Sequence, residues 1–105
     1  MINYSGECAF CKYTDISKFK DVIITDESIS FDINYDVREF YTVSLFKKDG
    51  SLYKGRAIEK FTREEIPITA RVFTSPDSDI TIISGSEWKQ DGVEYKWYVE
   101  ITRDS

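Results

Sequence analysis

In the last third of the chain, large apolar residues fall on every second position: Val93, Tyr95, Trp97, Val99 and Ile101. Glu94, Lys96, Tyr98, Glu100 and Thr102 lie between them. Successive side chains of an extended strand point to opposite faces, so a period of two predicts a strand with one buried face. Residues 79–88 precede it, rich in Ile and Thr and ending on Trp88, with Lys89-Gln90-Asp91-Gly92 between the two runs. Asp-Gly is a strong hairpin signal because glycine accepts the positive φ that a tight turn demands. With Asp91-Gly92 as the turn, Trp88 is expected opposite Tyr95, Ser86 opposite Trp97, Ser84 opposite Val99 and Ile82 opposite Ile101. Gly85 inside the strand then reads as room for the Trp97 ring, or as a bulge.

A second Asp-Gly, Asp49-Gly50, separates residues 39–48 from residues 51–60. The same arithmetic pairs Phe46 with Tyr53, Ser44 with Gly55 and Leu45 with Lys54, and it leaves neither face cleanly apolar. Gly55 suggests a bulge, a bend or a close backbone approach. Ile29, Phe31 and Ile33 alternate with Ser30, Asp32 and Asn34, and Val22-Ile23-Ile24 comes before them. Ile66, Ile68, Ala70 and Val72 mark another strand, with Pro67 near its start, where a missing N–H costs least. Thr62-Arg63-Glu64-Glu65 fits a helix-capping box, and Ile16 and Phe19 within residues 15–20 fit a helical turn. The expectation is one domain over residues 1–105: mainly β, an antiparallel sandwich or small barrel of about seven strands, with one or two short helical turns.

Composition narrows the function classes. Fourteen Lys and Arg stand against nineteen Asp and Glu, a formal charge of −5, with no histidine. A negative field without a basic run disfavours direct nucleic-acid binding, because non-specific affinity comes mostly from neutralised phosphates. It favours a basic protein partner. No apolar run approaches the roughly 18 residues of a membrane helix, and the first residues lack a basic and an apolar signal region. A cytoplasmic location is the expectation.

The absence of histidine removes Ser–His–Asp and Cys–His catalysis, and the five glycines are too scattered for a phosphate loop. Paired carboxylates, Glu64-Glu65 and Asp77/Asp79, lie in expected turns, where solvation and turn formation account for them. Cys8 and Cys11 have the spacing of half a tetrahedral zinc site; the other half would come from carboxylates or from a second copy in a homodimer. Reduced, packed thiols are the alternative. No cofactor is called for.

Seven Phe, seven Tyr and two Trp are more than one small core absorbs. Tyr98, Tyr53, Phe40 and Phe73 fall on the less apolar faces of their expected strands, where aromatic residues serve as interface anchors. The expected function is therefore non-catalytic protein binding: a small inhibitor, such as a bacterial immunity protein capping a basic toxin or enzyme domain. Its contact surface is Tyr98, Glu94, Glu100, Tyr53 and Phe73. Two alternatives stay open, a small-ligand barrel with a pocket at Trp88, Trp97 and Tyr95, and a metal-bridged oligomer through Cys8 and Cys11.

Overall fold

The computed structural model describes residues 3–10, 16–36 and 39–104. Nine strands follow one another: β1 (Tyr4–Phe10), β2 (Ile16–Phe19), β3 (Ile23–Ile24), β4 (Ser28–Asp36), β5 (Glu39–Asp49), β6 (Leu52–Glu59), β7 (Glu65–Thr74), β8 (Ile80–Gln90) and β9 (Val93–Arg103). They form one antiparallel sheet in the order β2-β1-β9-β8-β7-β6-β5-β4-β3. The sandwich expectation is thereby corrected, for there is one sheet and not two. Its margins, β2 and β3, are joined by only residues 20–22, a span of roughly 10 Å even when extended, so the sheet must curl into a half-barrel.

Where the margins meet, main-chain pairing gives way to side chains. Ser17 Oγ donates to the Asn34 carbonyl at 2.9 Å and accepts from the Asn34 N–H at 3.1 Å. Beside it the Phe19 and Phe31 rings stack with centroids 4.7 Å apart. The concave face collects the core, including Phe31 and Ile33 of β4, Val43 and Leu45 of β5, Ile66 and Ile68 of β7, and Val99 and Ile101 of β9. Fully burying one such aliphatic side chain is worth about 1.5–3 kcal/mol. That face is what holds the curl.

Two strands went unforeseen because small or polar residues, Gly6 and Cys8 in β1 and Ser17 in β2, break up the large apolar side chains on their inward faces. Neither expected helical turn is present among the described residues. Residues 16–19 are the strand β2, and Lys60 to Glu64 form the tight turn from β6 into β7, with Glu65 already in the strand. Pairing to a neighbouring strand claims residues 16–19 and Glu65, and the reversal between β6 and β7 takes the residues before Glu65, which outweighs a short local preference.

The β8–β9 hairpin has the expected turn, and Trp88 pairs with Tyr95. Beyond that pair, Ser86 and Glu87 together oppose one residue of β9, so Gly85 lies opposite Trp97, Ile83 opposite Val99 and Thr81 opposite Ile101. This bulge corrects the expected register and changes which side chains face inward. The even-numbered Trp88 and the odd-numbered Ile83 share the concave face, while Ile80 and Ile82 turn outward. The Trp97 ring lies over Gly85, where an added Cβ would sit 1.9 Å from the indole. Its Nε1–H donates to the Ser86 carbonyl inside the bulge at 3.3 Å. Bulge and indole hold each other in place.

The β5–β6 hairpin is corrected in the same way. Gly50 and Ser51 make the turn, Asp49 pairs with Leu52, and a second irregularity puts Lys47 opposite Tyr53, Leu45 opposite Gly55 and Val43 opposite Ala57. A slip of one residue exchanges the two faces of a strand. The mixed faces of the expected register resolve into one apolar face. At Gly55 the neighbouring backbone leaves no space, for a Cβ would meet the Ser44 carbonyl oxygen at 1.7 Å.

Gly85→Ala should therefore destabilise the fold by about 1–3 kcal/mol, the usual cost of forcing atoms into a packed site. For a chain this size that lowers the midpoint by roughly 4–8 °C per kcal/mol. Thermal unfolding followed by circular dichroism reads it, with Gly92→Ala, in open space, as the comparison for turn strain alone.

Candidate functional site

The bulge in β8 determines what the convex face displays. Ile80 and Ile82 point outward, and Phe73 of β7 lies directly across from Ile82. On the other side Ile82 faces Glu100 of β9, and Tyr98 is one outward position along from Glu100. Phe73 is 57% exposed, Tyr98 45% and Ile80 42%, with Ile82 half-buried. Scattered apolar residues on a surface are ordinary, but four that adjoin across three strands make a patch.

Glu100 borders this patch, and the Tyr98 hydroxyl donates to its Oε2 at 3.4 Å. Partial desolvation, and then the Glu100 charge, raise the Tyr98 phenol above its ordinary range. Glu7 of β1 sits directly across from Glu100, and on its far side Lys18 of β2 comes within 3.8 Å. An open groove of about 400 Å³ runs over β9, β1 and β2 there, with Lys18, Lys20, Glu7, Glu100 and Thr102 among its lining. Around the patch Asp79 is paired with Arg103 at 3.7 Å. Glu100, Glu94 and Asp77 have no cationic side chain within ion-pair distance among the described residues.

Of the residues expected from the sequence, Tyr98, Glu100 and Phe73 come together here. Glu94 is exposed on the same face of β9, but four residues along from Tyr98, a separation of roughly 13 Å. Tyr53 is corrected: it is 9% exposed and faces the core, because the shifted β5–β6 register reverses its side. Ile80, Ile82 and Glu7 were missed. The first two depend on the bulge, and Glu7 depends on the pairing of β1 with β9, which joins opposite ends of the chain.

The indoles lie on the concave side. Trp88 has no exposed surface and Trp97 is 2% exposed. Trp88 makes edge-to-face contacts with Phe10, Tyr41 and Trp97 at centroid distances of 4.8, 5.3 and 5.7 Å. Its Nε1–H donates to Gln90 Oε1 at 2.8 Å, and Gln90 Nε2 donates to the Tyr41 hydroxyl at 2.8 Å, a bridge across the half-barrel. Tyr95 packs half-buried at the edge of this group. Protein rings thus surround Trp88 and Trp97 where a ligand pocket was an alternative. Cys8 is fully buried and in register with Val99 and Ser17, and Cys11 lies outside the described residues. Among the described residues no group of three or more His, Cys, Asp or Glu is placed to hold a metal ion.

A buried carboxylate that sequence patterning did not reveal is Glu59, 8% exposed at the end of β6. Its Oε2 accepts from the Phe61 N–H at 3.0 Å and the Thr62 N–H at 2.5 Å, fastening the turn into β7. The Thr62 backbone N–H chiefly, then the Thr62 side chain, hold its pKa below the ordinary 4.5, against desolvation, and the Phe61 N–H adds to the lowering. The turn displays Phe61, whose ring meets Phe40 edge to face, with the Lys60 ammonium 5.3 Å from one ring and 5.8 Å from the other.

A comparison with protein-family models gave no match, and neither did comparisons with curated proteins and with solved structures.

The depressed pKa of Glu59 has a signed consequence. The stability it confers is fully present above the unfolded value near 4.5 and is lost as pH falls through the lower folded value. Glu59→Gln should therefore melt below the parent at neutral pH. The gap should narrow steadily in acid, as read by thermal melts between neutral pH and the acid limit.

Proposed function

We propose that the protein is a non-catalytic binding module that docks a basic protein partner on the convex face of β7, β8 and β9. The observation that carries this reading is the exposed Phe73–Ile82–Ile80–Tyr98 patch with unpaired carboxylates at its border. An aromatic and aliphatic centre with a polar rim is the arrangement in which a few residues supply most of the binding energy. The rigid sheet presents these side chains with little entropy left to lose on docking.

The charge of −5 and the acids at the rim favour a basic partner, steering encounter before the apolar centre seals. A basic toxin or enzyme domain, inhibited by having its active surface covered, suits both properties. The lack of histidine supports a role in occlusion rather than turnover.

Affinity capture followed by measurement on the purified pair tests this reading. Tyr98→Ala and Phe73→Asp should each weaken binding about tenfold or more, the equivalent of ~1.4 kcal/mol, with unchanged melting temperatures. Lys54→Ala, on the convex face of β6, should leave affinity unaltered. Association should also slow between ~0.1 M and ~1 M salt as the Debye length shrinks. A partner that tolerates both patch substitutions, or binds at the same rate in either salt, would refute the proposal.

A further inference from the structure

The groove beside the patch has a charge arrangement that the patch does not explain. Glu7 and Glu100 are directly opposite on adjacent strands, on the same outward face. Like charges in that position repel and destabilise the pair. Lys18 relieves Glu7 from one side at 3.8 Å, and among the described residues Glu100 receives only the Tyr98 hydroxyl, on one of its two oxygens. Glu100 Oε1 therefore remains available, beside an exposed phenol ring and at the mouth of a groove of about 400 Å³.

We infer that an arginine side chain of the basic partner seats at Glu100, where the groove meets Tyr98, its guanidinium on the carboxylate and its plane against the phenol ring. The inference rests on reading the neighbouring patch as the docking surface, with which the groove is continuous through Glu100. A guanidinium matches a carboxylate in its plane, stacks on an aromatic face and sheds water more readily than an ammonium. A cation at this point also offsets the repulsion between Glu7 and Glu100. Lys18 and Lys20 form the opposite wall on the β2 side. Two strand spacings, roughly 10 Å, separate that wall from β9, so repulsion from the lysines holds the guanidinium at Glu100. The apolar patch supplies area, and the groove supplies discrimination for a residue type.

Chemical-shift titration of the full chain reads the groove without any partner. The probe is N-acetyl-arginine amide, with N-acetyl-citrulline amide as its neutral isostere and N-acetyl-lysine amide as the alternative cation. The arginine probe should move the amide signals of Glu7, Tyr98 and Glu100, and the citrulline probe should leave them in place. Glu100→Gln should cut the response about tenfold, as expected when a charge-assisted pair becomes a neutral one. Tyr98→Leu should lower it, and Lys54→Ala, outside both the groove and the patch, should preserve it. Absent shifts, equal shifts from citrulline, or a stronger response to lysine would overturn the inference. Failure here leaves the apolar docking surface standing, whereas partner binding indifferent to Phe73→Asp removes that surface and leaves the titration result intact.

Discussion

Two indoles have to fit on the concave side of one curled sheet, and the rest of the structure follows from how they are accommodated. Trp97 lies over Gly85 and donates to the Ser86 carbonyl, which is possible because an extra residue is folded into β8 at that point. The extra residue also turns Trp88 inward, where it touches three other rings and, through Gln90, reaches Tyr41 across the curl. Without the bulge, Trp88 and Ile83, five residues apart in β8, would sit on different faces. Glu87 takes a φ of 66° to make the bulge, a conformation that costs a non-glycine residue free energy.

The same change of face produces the convex surface. If β8 alternated without interruption from Trp88, Ile82 would lie in the core and the outside of the hairpin would carry Thr81 and Ile83. With the bulge, Ile80 and Ile82 join Phe73 and Tyr98 outside, next to carboxylates contributed by β9 and β1. Packing and display are therefore two consequences of one backbone irregularity. A surface built on strands and held by a fully buried aromatic group is rigid, which would favour the proposed docking by limiting what must still be ordered.

Much of this was legible in the residues. Alternation placed Trp97, Val99 and Ile101 inside and Tyr98 and Glu100 outside, and Asp91-Gly92 marked the turn. Gly85 pointed to room for Trp97 or a bulge, and both are present, but the change of face was not legible because Ser84-Gly85-Ser86 has no large side chain to declare it. At Asp49-Gly50 the turn residues lie one position later than the dipeptide suggests, and an irregularity between Lys47 and Asp49 then exchanges the faces, which carried Tyr53 from the expected surface into the core. β1 and β2 were hidden because Gly6, Cys8 and Ser17 interrupt the large apolar residues on their inward faces. The meeting of Glu7 with Glu100 has no local signal at all, since it comes from pairing the first long strand with the last.

Acrylamide quenching of tryptophan fluorescence tests the central claim most directly, because the chain has only two tryptophans and both are assigned to the concave side. The native protein should show a quenching constant several-fold below that of the same chain unfolded in urea, with emission shifted to the blue. Native quenching equal to that of the unfolded chain would put an indole in water, contradicting the bulge, the core built around it and the surface it displays.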